Sequence, residues 1–380
     1  MPCTTTPSLS PELAAKAEKE LHEKEEWRER DIEALRSMVL TPIQKNLSTA
    51  EKSAEEISDV SKSNISIIIW YTWLQDTVVS SSKYITLYSC VEEGMCTTPI
   101  SLVPAENTQL VAQLEDWFLV RFLRARKFDY ERAYRLVLNY YGLRVRYHEI
   151  FTDFVPSAIG HVLEANMQGF LPHPDHNGCA LFVLRAGKWD PSAVKADDVF
   201  RTNLMCLEKQ IAEVGTQICG IVGLLDLKDL GFHHVRHFTT HNAARAVSLI
   251  QDSFPARFKA IHIINEPKVF DLIFTLARPF LSDKLKSRSM KYLQYHINKS
   301  LWLPPFDWSG RMCNKRVIGF QLYFHGTNLS SLHQHVPPEL LPEEFGGTLG
   351  PFDNREWAKV LLDSEDLFIR LNQYGFQASQ

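Results

Sequence analysis

Three short apolar runs, separated by helical lengths of chain, constrain the fold of this 380-residue sequence more than any other feature. They lie at residues 179–184, 220–227 and 260–264. Each is too short for a helix and is rich in Leu, Ile or Val, and so predicts a buried strand. Strands that alternate with helices form a mostly parallel sheet covered by helices. The sequence therefore predicts an α/β fold for residues 151–368.

The chain before residue 150 has a helical pattern instead. Ser10 is placed to cap a first helix whose first turn holds Pro11. Apolar residues recur at helical spacing again over 114–126 and in the segment that follows. Residues 10–150 are therefore predicted to form a small helical subdomain in front of the α/β domain.

Two segments interrupt these patterns. Residues 51–113 are rich in Ser and Thr, and neither they nor residues 289–321 keep a sustained period. Structureless stretches of this length are uncommon inside a compact domain. We interpret both segments as insertions that are not native to the fold, and our hypothesis is that they are translated non-coding sequence. The alternative is a genuine lineage-specific insertion.

Net charge and cysteine content indicate which partners and which cellular compartment suit the chain. The net charge of −4 argues against a nucleic-acid binder, so an anionic partner must meet a local basic patch. Seven cysteines without a CxxC pair indicate neither a disulfide framework nor a zinc site, and they fit a reducing cytoplasm. The first residues lack a signal-peptide pattern, and the most apolar early segment, 65–74, is about half the ~20 residues that span a bilayer. We expect a cytoplasmic protein that associates peripherally with endosomal or plasma membranes.

Cations and an apolar surface meet around the third predicted strand. Arg257 and Lys259 lie where this strand begins, and Asn-Glu-Pro at 265–267 closes it. The next stretch, 269–281, is apolar nearly all round and leads to further cations. Such a surface suits an apolar ligand and an anionic membrane rather than bond-making chemistry.

Three separated motifs give the chain a resemblance to a known family. They are FLVRFLRARKFD at 118–129, SFPARFKAIHIINEP at 253–267, and LLPEEFGG at 340–347 after His325-Gly326. In this order they resemble the CRAL-TRIO lipid-transfer family and, within it, the tocopherol-transfer subgroup. The resemblance implies a lipid cavity on one face of the sheet, closed by a helical lid near 270–281.

The resemblance also implies which residues line the cavity. Those positions correspond here to Phe200, Asn203, Leu207, Ile221, Leu225, Leu249, Ile250 and Ile261. The alternative for each is plain core packing, which any α/β domain needs. Asn203 and Leu207 replace serines of the tocopherol carriers, which leaves the ligand open between tocopherol and other lipids. A buried Asn203 needs hydrogen-bond partners, which a ligand hydroxyl or an ordered water would supply.

Two further sets of residues follow from the resemblance. The phosphoinositide-binding positions are Arg126, Arg257, Lys284 and Arg288, with Lys259 beside them, and the alternative is a solvated charged face. The lid positions are Phe270, Ile273, Phe274 and Phe280, and the alternative is a buried core helix, which is also apolar all round.

No catalytic or metal-binding motif competes with these assignments. The sequence has no GxSxG, HExxH, phosphate loop or GxGxxG after the first strand. The histidines at 233, 234, 237 and 241 have spacings that zinc can use, but no carboxylate completes a known motif. We therefore predict no enzyme activity, no metal and no cofactor.

The predicted function is to bind a hydrophobic molecule, tocopherol-like or another lipid, in an internal cavity and to transfer it between membranes. Docking would use the basic phosphoinositide-binding patch, and the partners are the lipid and phosphoinositide-containing membranes. One alternative is a phosphoinositide-sensing membrane-trafficking adaptor that moves no ligand. A weaker alternative is an α/β enzyme acting on a nucleotide or a lipid.

Overall fold

The computed structural model of the chain describes residues 8–56, 84–88, 99–104, 108–251, 253–280 and 321–378. Its helices are α1 Pro11–Leu21, α2 Glu25–Glu56, α3 Asp116–Ala125, α4 Tyr130–Arg146, α5 His148–Phe151, α6 Gly160–Glu164, α7 Ala196–Gln210, α8 Val214–Cys219, α9 Phe232–Val235, α10 Thr240–Gln251, α11 Phe270–Ala277, α12 Leu329–His333, α13 Arg355–Leu362 and α14 Glu365–Leu371. Its strands are β1 Tyr84–Tyr88, β2 Pro99–Pro104, β3 Thr108–Val111, β4 Gln168–Phe170, β5 Ala180–Arg185, β6 Ile221–Asp226, β7 Phe258–Ile264, β8 Gln321–Phe324 and β9 Gly375–Ala378.

A five-stranded sheet with the order β4-β5-β6-β7-β8 forms the centre of the α/β domain. The strands β5 to β8 run parallel, and β4 pairs antiparallel with β5 at one edge. The three apolar runs of the sequence are β5, β6 and β7, and helices connect them as predicted. The prediction of a mostly parallel sheet flanked by helices is confirmed.

The two faces of this sheet differ in burial. One face carries side chains such as Val183, Leu224 and Ile264, all fully buried against α1 and the C-terminal segment. The other face carries two rows of side chains that cross all five strands in register. We call this second face the ligand face, and its rows are Phe170, Phe182, Gly223, Ile261, Leu322 and Gln168, Leu184, Leu225, Ile263, Phe324.

The N-terminal helices form the predicted helical layer and pack on the α/β domain. The Ser10 hydroxyl accepts a hydrogen bond from the backbone nitrogen of Leu13 at 3.4 Å, so Ser10 caps α1 as its sequence position predicts. Buried Glu23, between α1 and α2, accepts hydrogen bonds from Arg28 at 2.7 Å and from Arg124 of α3 at 2.7 Å. Burial favours a higher pKa for Glu23, but the bonds from Arg124 and Arg28 outweigh it and the pKa is lowered.

The ends of the two interrupting segments make contacts with the rest of the molecule. The strand β3 pairs antiparallel with β9, and Leu110 of β3 is buried. The backbone nitrogen of Gln113 donates a hydrogen bond to the Tyr141 hydroxyl at 2.8 Å. Gln321 is the first residue of β8. The boundaries 51–113 and 289–321, and the origin of both segments, stay predictions.

The cysteines that the structure describes, Cys179, Cys206 and Cys219, are free and buried. Within the described ranges, no helix combines the length and apolar character needed to cross a bilayer.

Candidate lipid site and membrane surface

Helix α7 contributes three of the predicted ligand-lining residues from one of its faces. Phe200, Asn203 and Leu207 are three and four residues apart, which places them on the same side of an α-helix. Leu207 is buried in one apolar cluster with Ile221 of β6 and Leu249 of α10. Phe200 packs against this cluster, and the Arg245 guanidinium carbon lies 4.1 Å from the centre of its ring.

The predicted sheet residues lie on the ligand face. Ile261 belongs to a second apolar cluster, against which Leu225 packs. Phe258 packs against both clusters and so joins the α7 side of the face to the α11 side. The structure therefore brings the predicted lining residues into one layer, except Ile250, whose side chain lies outside the described residues. Their role as ligand contacts stays a prediction.

Asn203 is the polar member of this set. Its side-chain oxygen Oδ1 is buried and has no hydrogen-bond partner in the part of the chain that the structure describes. Buried polar atoms normally have a partner, because an unpaired one loses the hydrogen bonds that water gave it. The oxygen can accept a hydrogen bond from a ligand.

The predicted lid residues lie on and just after α11, over the edge of the ligand face. The ring centre of Phe270 lies 6.4 Å from that of Phe324 on β8, and Ile273 packs against the cluster around Ile261 and Ile263. Phe280 is 40% exposed. Residue 274, the remaining predicted lid position, has a side chain outside the described residues.

Two exposed apolar side chains near the lid were missed by the sequence prediction. Leu272 on α11 is 48% exposed, and Phe232 on the neighbouring helix α9 is 72% exposed. Phe232 is the first residue of a helix of only four residues. Such a helix is too short to show a period, so the sequence could not predict that this side chain is exposed. Its position beside Gly231 and the histidines was the only local signal.

The basic patch is partly described, and its central pair has an acidic partner. The Lys259 ammonium donates a hydrogen bond to Oε2 of Glu20 at 2.7 Å, and the Arg257 guanidinium donates to the same oxygen at 3.0 Å. Burial alone would raise the pKa of Glu20, but these hydrogen bonds and charges outweigh it and the pKa is lowered. Lys16 lies 3.8 Å from the other carboxylate oxygen, Oε1.

A glycine allows the basic start of β7 to lie close to β6. Gly220 has a φ of +97°, which favours glycine, and a Cβ there would lie 2.5 Å from the Arg257 carbonyl oxygen. Arg126 ends α3 with a half-buried side chain. The other two predicted positions of the patch, Lys284 and Arg288, lie outside the described residues.

Of the four histidines at 233, 234, 237 and 241, His234 is held by contacts with backbone atoms. This buried ring accepts a hydrogen bond from the Gly231 nitrogen through Nδ1 and contacts the Trp189 carbonyl oxygen through Nε2 at 2.8 Å. Burial lowers the pKa of His234. Among the described residues, no three His, Cys, Asp or Glu side chains are grouped so that they could hold a metal ion.

Comparisons with known proteins decide the family. Sequence models of the CRAL/TRIO domain and of the CRAL/TRIO N-terminal domain match residues 165–301 and 71–139. The alpha-tocopherol transfer protein-like protein of Homo sapiens is 32% identical over 363 residues, which cover 96% of this chain and 78% of that protein. The chain belongs to the CRAL/TRIO family. The family predicted from the three sequence motifs is thereby confirmed.

Two other known proteins resemble parts of this CRAL/TRIO chain. Clavesin-2 of Homo sapiens is 34% identical over 253 residues, which cover 66% of the chain and 67% of clavesin-2. A crystal structure of Sfh5 covers 67% of the chain and 81% of its own chain, with a TM-score of 0.40 and 13% identity. That structural likeness is too low to carry an argument about this protein.

A cleft of about 670 Å³ lies away from the ligand face of the CRAL/TRIO domain. Residues of α4, α5 and the C-terminal segment line it, among them Arg144, Phe151 and Tyr374. None of the predicted ligand-lining residues belongs to its walls.

Proposed function

We propose that this protein binds a hydrophobic lipid between the ligand face of its sheet and the helices α7 and α11, and carries it between membranes. The observation that carries the proposal is the apolar ligand face, on which Leu184, Leu225 and Phe324 remain half-buried. On the opposite face of β5 and β6, the apolar side chains are buried: Leu181, Val183, Val222 and Leu224. An apolar surface on which the described part of the chain leaves side chains half-buried is suited to an apolar ligand. The lipid is tocopherol-like or of another class.

The basic patch is proposed to dock the protein on anionic membranes that contain phosphoinositides. Lys259 and Arg257 present an ammonium and a guanidinium within one site, and phosphate oxygens accept strong hydrogen bonds from both groups. Each cation near an anionic leaflet contributes about 1 kcal/mol of binding free energy, so several of them hold a protein reversibly. The proposed location is the cytoplasm, with peripheral association on endosomal or plasma membranes.

The exposed apolar side chains support a route for the ligand. Phe232 on α9, Leu272 on α11 and Phe280 just after α11 are each at least 40% exposed. We propose that they enter the membrane interface when the basic patch docks, so that α11 loosens and the ligand exchanges. No bond is made or broken in this cycle, and we propose no enzyme activity.

The alternative function is a phosphoinositide-sensing adaptor, which binds membranes but moves no lipid. The observation in its favour is the distance between patch and lid. The basic residues lie at the start of β7 and the lid follows its end, so a strand of seven residues, about 20 Å, separates the two. Binding at the patch could therefore occur without opening of α11.

Substitution of one patch residue separates the two functions. Lys259→Gln removes one cation, and we expect about fivefold weaker binding to vesicles that contain phosphatidylinositol bisphosphate. The matched control Lys359→Gln changes an exposed lysine of α13. Vesicle binding is measured by co-sedimentation, and lipid exchange by mass spectrometry of labelled lipid in donor and acceptor vesicles. A carrier loses exchange together with vesicle binding. Wild-type protein that binds these vesicles but exchanges no lipid would make the adaptor the better account.

A further inference from the structure

One polar side chain interrupts the apolar ligand face. The row Gln168, Leu184, Leu225, Ile263, Phe324 is apolar except at Gln168, which lies on the edge strand β4. Opposite residues of neighbouring strands point to the same side of a sheet, so the Gln168 side chain lies on the ligand face with Leu184. Helix α7 packs against β4 over this end of the row.

The Gln168 amide is buried and unpaired. Its residue is 0% exposed, and within the described ranges neither Nε2 nor Oε1 has a hydrogen-bond partner. Its backbone is held in place, because Asn354 donates a hydrogen bond to the Gln168 carbonyl oxygen at 3.1 Å and another to Leu163 at 3.0 Å. A fixed backbone with two buried, unpaired side-chain atoms indicates a partner that is not part of the described chain.

The two unpaired atoms restrict the chemistry of that partner. Nε2 donates hydrogen bonds and Oε1 accepts them, so full pairing needs a group that does both. A hydroxyl group satisfies both atoms, whereas an ester or ketone carbonyl pairs only with Nε2 and a hydrocarbon pairs with neither.

We infer that Gln168 binds the hydroxyl group of a lipid alcohol, an assignment that rests on the proposed carrier function. The apolar remainder of the lipid then lies along the row toward Phe324 and the lid. Four strand spacings separate Gln168 from Phe324, a length of about 19 Å that accommodates a long apolar chain. The polar end lies farthest from the lid, so it enters first when the lipid is loaded and leaves last when the lipid is released.

The first experiment uses the wild-type chain and a matched pair of lipids. Purified full-length protein is incubated with vesicles that contain equal amounts of deuterated octadecanol and octadecane, re-isolated, and analysed by mass spectrometry. We expect at least about tenfold more bound octadecanol, because the hydrocarbon leaves both amide atoms unpaired. Equal uptake of the two lipids would overturn the assignment. Uptake of neither by folded protein would count against the carrier function itself.

The second experiment removes the amide. Gln168→Met keeps the length and apolar stem of the side chain, and we expect an about tenfold loss of octadecanol binding with octadecane binding unchanged or increased. The matched control Gln334→Met changes an exposed residue and should leave both unchanged. Unchanged octadecanol selectivity in a folded Gln168→Met protein means that the amide binds only an internal water, and the assignment is then wrong. If this variant does not fold, Asn203→Leu decides: selectivity for octadecanol that Asn203→Leu retains supports Gln168, and selectivity that it abolishes belongs to Asn203 and overturns the assignment.

Discussion

At the scale of single residues, Glu20 controls the charge of the basic patch. Its carboxylate accepts hydrogen bonds from both Lys259 and Arg257, so a phosphate group that binds these cations must compete with it. Part of the positive charge of the proposed membrane-docking surface is thus neutralised within the protein. In the docking that we propose, membrane affinity depends on this carboxylate as well as on the cations.

We expect Glu20→Gln to strengthen binding to vesicles that contain phosphatidylinositol bisphosphate. Removing one negative charge beside the pair adds one net positive charge at the membrane, worth about fivefold in affinity at neutral pH. The pKa of Glu20 is lowered from 4.5, so its pairing is present at neutral pH and is lost as the pH falls through the lowered value. The difference between variant and wild type should therefore shrink as the pH falls into that range.

Co-sedimentation with vesicles at several pH values measures this effect. Glu18→Gln is the matched control, because Glu18 is exposed on the same helix. Equal vesicle affinities of Glu20→Gln and wild type at neutral pH would show that the Glu20 carboxylate does not compete with phosphate.

The sequence predicts single residues well where their role is local and poorly where the partner is distant. The Ser10 cap depends on a residue three positions away, and the pattern was sufficient to find it. Glu20 and Lys259 are 239 positions apart, so no local pattern could pair them. His262 was also missed: it contacts His325 at 2.9 Å, and burial with the nearby His325 and His335 lowers its pKa to about 3.

At the scale of elements, α11 and α9 present the exposed apolar surface through which we propose that the lipid exchanges. Leu272 on α11 and Phe232 on α9 are exposed, so their substitution costs little packing inside the folded protein. In a membrane interface the same side chains would be removed from water. Burial of a large apolar side chain contributes about 1.5 kcal/mol or more.

We expect Leu272→Ser and Phe232→Ser each to slow lipid exchange between vesicles by about fivefold, because half-exposed side chains gain part of that burial free energy. The melting temperature should stay close to that of wild type. Leu349→Ser is the matched control, since Leu349 is 46% exposed and lies in the C-terminal segment away from α11. Exchange by all three variants at the wild-type rate would remove α9 and α11 from the proposed route.

The elements that the sequence predicted are helices with a clear helical period and strands that form a continuous apolar run. The strands β5, β6 and β7 stand out as apolar runs between helices. The edge strand β4 has only three residues, and β9 has four, so neither contains enough residues to show a period. The position of Gln168 on the ligand face was missed for this reason. Only the pairing of β4 with β5 shows to which face its side chain points.

At the scale of the whole molecule, hydrogen bonds between buried charged and polar side chains join the N-terminal helices to the CRAL/TRIO domain. Arg124 donates hydrogen bonds to Glu23 and, at 2.6 Å, to Gln217 of α8. Arg121 donates at 2.7 Å to Glu208 of α7, and both residues are buried. Breaking one partner of such a buried pair costs several kcal/mol, so the layer and the domain are expected to unfold together.

The two interrupting segments provide the last prediction. If residues 51–113 and 289–321 are not native to the fold, a chain that lacks both should retain the five-stranded sheet and its lipid. The deletion also removes β3, which makes contacts with the rest of the fold. This strand pairs with β9, and its Leu110 is buried. Loss of β3 removes an edge pairing and one buried leucine, a cost of about 2–5 kcal/mol if the site does not close. Shortening the two connections lowers the entropy cost of closing them on folding and works in the opposite direction.

We therefore expect the shortened chain to fold, to show the circular dichroism of a protein with both helices and strands, and to co-purify with the same lipid as the full chain. Mass spectrometry of the bound lipid and the melting temperature test this. A second chain that lacks only 57–83 and 289–320 keeps β3 and β8, and so separates the loss of β3 from the loss of the segments. If the full chain folds and carries lipid while both shortened chains aggregate, the segments are integral to the fold and the insertion hypothesis is wrong.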